Sequence, residues 1–306
     1  MMIENFPELV NRAMRSQNMS HMRPVIEKEL LHYDIMFALD QANLLSTLTF
    51  QGGTCLRLCF GAPRYSEDLD FTGGYDFNRV KLAQIKQCLE DYLGSSYGLK
   101  VTVKEPRQAD TAPGMVSVAK WQINVQTAPQ RKDLPRQHIK VEVANLPSYT
   151  RELAALKRNY EFLPDGYTDT LVAAQTLDEI MADKVVSLVN CHRYVRHRDI
   201  WDLLWLEQQG ASLDITMVKR KINDYNAPDY LDHLDAMIDR LKTIVRSESF
   251  QQEMKRFLPL DVQARTLERE GFNDFLSSSV AKVLKRTGQL LDSGNPATGI
   301  SSQFEI

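Results

Sequence analysis

Apolar residues recur at helical spacing over residues 24–47, where Val25, Leu30, Ile35, Leu39 and Leu44 sit among charged positions. That period predicts a helix leading straight into the Gly52-Gly53 pair, with a short apolar helix after it. The pattern then changes to strict alternation. Asp68 and Asp70 fall on one side of an extended segment, Leu69 and Phe71 on the other. Residues 79–94 return to the helical period through Val80, Leu82, Ile85, Leu89 and Leu93. Three strand candidates follow at 99–105, 116–126 and 138–145, separated by turns at 106–114 and 128–136 that contain Pro or Gly. Helices mixed with a few alternating strands predict an α+β core on a small mixed sheet.

After Pro147 the pattern becomes almost wholly helical. Helices are expected at 150–160, 170–192, 197–209, 215–224, 228–246, 248–257 and 272–291. The change places a domain boundary near 148: residues 1–148 form the mixed core and 149–292 a helical domain. Residues 293–306 carry Gly, Asn, Pro, Ser and Thr and read as a flexible tail.

Composition narrows this picture. A chain of 306 residues accommodates one large or two ordinary domains, and 43% hydrophobic with 25% charged residues is the balance of a soluble globular protein. The net charge of −3 argues against wholesale coating by nucleic acid but leaves room for a local basic cleft. Cys55, Cys59, Cys88 and Cys191 form no Cys-x-x-Cys pair, which points to free thiols in a reducing cytoplasm and away from zinc. No apolar run of membrane-spanning length is present and the first residues lack a signal-peptide pattern, so no membrane partner is expected.

The chemistry concentrates in residues 52–71. Two carboxylates projecting together from Asp68 and Asp70 repel unless a cation lies between them. Magnesium suits that need, because it binds through one or two carboxylates and substrate phosphates. Gly52 and Gly53 allow close approach of a ligand to the backbone. Thr54 is placed to cap the following helix, whose first N–H groups favour an anion. Arg64 and Ser66 sit in the intervening loop. Solvated turn aspartates are the plain alternative for Asp-x-Asp alone; the glycine pair upstream shifts the reading to a nucleoside triphosphate and Mg²⁺ (or Mn²⁺) site.

Gly52-Gly53-Thr54 followed by Arg64-x-Ser66-x-Asp68-Leu69-Asp70-Phe71 resembles the first motif of the AbiEii/AbiGii-type nucleotidyltransferases. These are toxins of type IV toxin–antitoxin systems within the DNA polymerase β-like superfamily. The resemblance implies a polymerase β-like nucleotidyltransferase domain followed by a mostly helical domain. It also implies transfer of NMP from an NTP to an RNA acceptor, with the tRNA 3′ end the leading choice, and control by a cognate antitoxin encoded nearby. A small-molecule or protein hydroxyl as acceptor, or a non-catalytic nucleotide-sensing module, stands as the alternative.

Three further segments match later family motifs. In His138-Ile139-Lys140-Val141-Glu142-Val143, Lys140 and Glu142 share a strand face. The resemblance makes Lys140 a triphosphate ligand and Glu142 a third metal carboxylate; an ordinary cross-strand ion pair is the alternative. Lys184 lies within the apolar stripe of a helix beside Asp183, so it must snorkel or meet an anion, and the family motif puts both at the nucleotide pocket. Arg198, Asp199, Asp202 and Leu203 match a fourth motif, Arg-x-x-x-Arg-Asp-x-x-Asp-Leu, whose first arginine would be Arg193 with one extra residue before Arg198; Arg198 is the candidate phosphate contact. Basic runs at Arg151, Lys157 and Arg158 and at Lys219, Arg220 and Lys221 offer the helical domain as an RNA-binding surface.

Overall fold

A computed structural model describes residues 5–16, 22–106, 116–131, 135–191 and 193–293. Twelve α-helices, a short 3-10 helix at Arg79–Leu82 and seven strands are found among them. The chain divides into two compact units: residues 1–180 with 252–268, and residues 181–251 with 269–306. The first unit therefore continues well past the expected boundary at 148. The expected tail lies outside the described residues except for Ser293, which closes the last helix.

The first unit is a mixed seven-stranded sheet covered on one face by helices. Helices α1 (Phe6–Ser16) and α2 (Arg23–Gln41) precede β1 (Thr49–Gln51), and α3 (Gly52–Leu58) follows it directly. Then come β2 (Leu69–Thr72), α4 (Ile85–Tyr97), β3 (Lys100–Lys104), β4 (Val118–Gln126) and β5 (Gln137–Ala144). The strands β6 (Glu152–Ala155) and β7 (Leu171–Ala174) flank a single-turn α5 (Asp165–Thr168). Sheet order is β3-β4-β5-β2-β1-β7-β6, with β2–β5 and β1–β7 parallel and the other pairs antiparallel. One face carries Phe50, Leu69, Phe71, Trp121, Ile123, Val125, Ile139, Val141 and Val143, all buried. Each such side chain removed from water stabilises the fold by about 1.5–3 kcal/mol. The opposite face carries the polar residues, as period-two alternation requires.

Two segments expected to be helical, in the helices at 150–160 and 170–192, are strands. Glu152-Leu153-Ala154-Ala155 is made of good helix formers, yet it pairs with β7 in the register Glu152↔Ala174 to Ala155↔Leu171. Intrinsic propensity is a weak force, and completing the sheet overrides it. Residues 171–174, read as the start of a long helix, instead extend the sheet beside β1, and the Gln175 amide donates to the Phe50 carbonyl at 3.0 Å. The helix itself begins only at Leu177.

The second unit is helical, as expected. It is built from α6 (Leu177–Asn190) after its first turn, α7 (His197–Gln208), α8 (Ile215–Asp224), α9 (Tyr230–Arg246) and α12 (Phe272–Ser293). Between the last two run α10 (Glu248–Phe257) and α11 (Leu260–Arg265), and residues 252–268 of that stretch belong to the first unit. Trp201 of α7 packs on Phe272 of α12 with ring centroids 5.8 Å apart.

One carboxyl lies deep in the helical cover of the sheet. Asp34 of α2 accepts a hydrogen bond from the Tyr97 hydroxyl at 3.0 Å and another from Tyr167. Burial pushes its pKa up from 3.8 to about 7, against the opposing pull of the two hydroxyl donors. The folded chain thus keeps a proton that the unfolded chain releases, so this group's contribution makes stability fall as pH rises from about 4 to about 7. Asp34→Asn keeps an acceptor for both hydroxyls and removes the titration. Thermal melts should show the variant gaining on the wild type steadily across that range and holding a constant advantage above it.

Candidate active site

The polar sheet face gathers the residues that the sequence singles out in the first unit. Parallel pairing sets Asp70 of β2 beside Glu142 of β5, and antiparallel pairing sets Gln51 of β1 on its other side. Asp68 precedes β2 by one residue. Its Oδ1 accepts from the Lys140 backbone N–H at 3.1 Å, and its Oδ2 lies 3.1 Å from the Lys140 ammonium. Burial works against the Lys140 charge, but Asp68, Glu142 and Asp70 outweigh it and hold the pKa above the ordinary lysine value. A cation beside Asp68 is therefore electrostatically favoured.

The glycine pair is required here by space as well as by torsion. Gly52 has φ +76°, in the left-handed region, and a Cβ on it would stand 3.0 Å from Asp70 Oδ2. A Cβ on Gly53 would stand 2.5 Å from Arg64 Nη2 and 3.0 Å from Ser66 Oγ. Arg64 is buried, and its Nη1 donates to the Tyr65 carbonyl at 2.7 Å. It therefore walls the glycine pair, beside the Ser66 hydroxyl. Thr54 also differs from expectation. It is the third residue of α3 rather than its cap, and its hydroxyl donates to the Asp68 carbonyl. That bond fixes α3 to the start of β2.

Glu142 faces a second cation. Its carboxylate lies 2.7 Å from Lys120 of β4, its partner in register. Among the described residues no group of three His, Cys, Asp or Glu side chains is placed to hold a metal ion. The three-carboxylate arrangement expected of Asp68, Asp70 and Glu142 is thus not formed. Magnesium does not need it: one or two carboxylates suffice where substrate phosphates complete the shell. The lysine ammonium at Asp68 shows that this carboxylate already accepts a cation, and Asp70, two residues on along the same face, has the oxygen donors that the group requires.

Residues that sequence reading missed hold this loop in place. Glu67, between Ser66 and Asp68, meets Lys28 of α2 and Arg256 of α10, each at 2.6 Å. Its carbonyl is 3.0 Å from His32 Nε2. A carbonyl only accepts, so Nε2 carries the proton; burial holds this histidine neutral, with a pKa lowered to about 4. The Tyr65 amide donates to the Phe257 carbonyl at 2.9 Å. Lys28 and His32 are four apart on α2 and share a face, a faint signal. Arg256 lies nearly two hundred positions along the chain, and no local pattern could announce it.

The remaining candidates belong to the second unit. Lys184 of α6 is buried, with its ammonium 2.8 Å from Asp199 and 2.7 Å from Asp202 of α7. Burial alone would raise the Asp199 carboxyl, but Lys184 and Arg196 prevail and hold it well below the usual range. Arg196 also pairs with Asp199 from the residue before α7. Asp183 is 3.0 Å from Lys221 and accepts from the Tyr225 hydroxyl at 3.2 Å. Arg198 stands half-buried in the first turn of α7. These ion pairs tie α6, α7 and α8 together and give the buried lysine two internal carboxylate partners.

A family model described as "Nucleotidyl transferase AbiEii toxin, Type IV TA system" matches residues 34–278. The chain belongs to this family. The match runs from α2 through α12 and so takes in both units and all four motifs. Among solved structures, JHP933 from Helicobacter pylori is 17% identical with a TM-score of 0.43, covering 88% of this chain and 94% of its own. A second H. pylori protein, described as a candidate nucleotidyltransferase, is 20% identical with a TM-score of 0.41, covering 88% and 95%. No curated protein matches the chain.

Two substitutions separate the AbiEii site from its scaffold. Gly53→Ala drives a methyl into a buried guanidinium and should lower kcat/KM for nucleotidyl transfer roughly a hundredfold, with far-ultraviolet circular dichroism unchanged. Lys184→Met strands two buried carboxylates and should cost about 3–5 kcal/mol of stability in denaturant titrations. An unchanged unfolding curve with only a raised KM for NTP would instead make Lys184 a nucleotide ligand.

Proposed function

We propose that this AbiEii-family chain is a magnesium-dependent toxin that transfers NMP from an NTP to an RNA acceptor, the tRNA 3′ end being the favoured site, under control of a cognate antitoxin. The observation that carries the reading is the Asp68–Asp70 pair on the open sheet face, with Lys140 at Asp68 and two glycines pressed against Asp70 and Ser66. Asp68 and Asp70 would hold Mg²⁺, which when bound neutralises phosphate charge and lowers the pKa of the attacking hydroxyl.

The chain's own residues do the rest by positioning and electrostatics. Lys140 offers a positive charge that a phosphate can share with Asp68. Gly52 and Gly53 leave room for the triphosphate against the backbone, and Ser66 presents a hydroxyl beside them. The Thr54 bond to Asp68 and the clamp on Glu67 keep the two carboxylates from swinging away. The acceptor oxygen bonds to the α-phosphorus, the bond to the bridging oxygen breaks, pyrophosphate leaves with the electron pair, and the hydroxyl proton is released. No helix among the described residues is long and apolar enough to cross a membrane.

Incubation with each α-labelled NTP and total RNA, read on a denaturing gel, tests the reading. Label should enter an RNA band in magnesium and not in chelator. Asp70→Asn should lose roughly a hundredfold or more of that rate, the scale of removing one charge-stabilising group. Equal activity in Asp70→Asn, or label found only on a small molecule or protein, would sink it.

A further inference from the structure

The polar sheet face does not stop at the carboxylates. Strand register carries it across β5 and β4 to the edge strand β3. One row runs from Lys140 through Gln122 to Lys104; the next runs from His138 through Asn124 to Thr102. Lys100 begins the outer strand on the same face, two residues before Thr102. The spacing of sheet strands puts β3 about 14 Å from β2. These two rows bear no carboxylate between Lys140 or His138 and the β3 edge; Glu142, in the neighbouring row of the same face, is closed on Lys120 at 2.7 Å. Lys100, Lys104 and His138 are exposed.

The neutral side chains are set in order. The His138 ring nitrogen Nδ1 lies 2.6 Å from Asn124 Oδ1, Gln122 Nε2 donates to the same oxygen at 3.4 Å, and Asn124 Nδ2 donates to the Thr102 carbonyl at 3.2 Å. Of the basic runs suggested by the sequence, Arg151, Lys219 and Arg220 are exposed. Lys221 is buried on Asp183 at 3.0 Å, and Arg158 holds the Glu161 and Leu163 carbonyls at 2.6 and 2.9 Å.

We infer that the β3–β4–β5 face is the track on which a single-stranded RNA acceptor lies, its phosphates on Lys100 and Lys104 and its 3′ end directed at Asp68 and Asp70. The inference rests on the nucleotidyltransferase reading above and names the acceptor's path within it. A flat row of lysines and hydrogen-bonding amides suits a polyanion whose bases need not be read: phosphate contacts fix position without carrying sequence. No Phe, Tyr or Trp stands in these rows, so affinity would come mainly from charge and would be strongly salt-dependent.

The test is the Lys100→Gln/Lys104→Gln double variant, titrated with a fluorescein-labelled single-stranded oligoribonucleotide at several salt concentrations. Affinity should fall about tenfold, and the slope of log affinity against log salt should shrink by about 1.4, two charges at about 0.7 each. NTP affinity by calorimetry and the melting temperature should match wild type. Lys104→Gln alone should give an intermediate slope. Wild-type affinity and slope in the double variant would overturn the track and leave the lysines as guards against edge pairing of β3. Transfer of label to RNA by that same variant at wild-type KM overturns the track alone. Absence of any RNA labelling by wild type overturns the nucleotidyltransfer reading with it.

Discussion

Everything at the site depends on the register between β2 and β5. The side-chain period of a strand is two, so a slip of one residue would carry Asp68 and Asp70 into the core and Leu69 and Phe71 into water. The pairing Asp70↔Glu142 fixes the whole row. It brings the Lys140 ammonium and amide onto the two oxygens of Asp68; on the other side the β1 pairing stacks Phe71 on Phe50 with centroids 5.1 Å apart. The buried face pins the register and the polar face uses it. The cost of holding two carboxylates together is offset by a lysine one strand away and by the hydrogen bond from Thr54 to the Asp68 backbone.

Charge is used in two distinct ways. In the second unit the charges are buried and closed on themselves: Lys184 answers Asp199 and Asp202, and Lys221 answers Asp183. Such pairs set the packing of helices and are costly to break. On the sheet of the first unit the charges are half-exposed and adjustable. Lys140 and Lys120 each sit against a carboxylate while still reaching solvent, which lets an incoming phosphate compete for them. The family's motifs thus combine an open site with internal struts.

Much of this was legible in the sequence because it is local. Alternation at Asp68–Phe71 and at residues 138–144 reported the face on which each side chain stands, and Gly52-Gly53 announced a close approach. Arg64 and Thr54 were legible as important but not as to role, since burial of a guanidinium and a hydroxyl aimed at the Asp68 carbonyl are facts of tertiary structure. Residues 150–160 misled because Glu, Leu, Ala, Lys and Arg favour helix until a partner strand is offered, and β7 was itself hidden in front of α6. Arg256 and Phe257 return from α10 to brace residues 65–67, a contact between segments far apart in the chain with no pattern to betray it. Lys184 showed its difficulty, a charge in an apolar stripe, and the structure resolved it with two aspartates on the next helix.

The account stands on Asp68 and Asp70 forming one metal-and-triphosphate centre against the glycine pair. A crystal structure with Mn²⁺ and a non-hydrolysable NTP, phased on the manganese anomalous signal, measures this directly. The account predicts manganese coordinated by both carboxylates and by the nucleotide's phosphates, with the triphosphate against Gly52 and Gly53. Manganese or nucleotide bound away from this pair, with Lys140 still closed on Asp68, would contradict it.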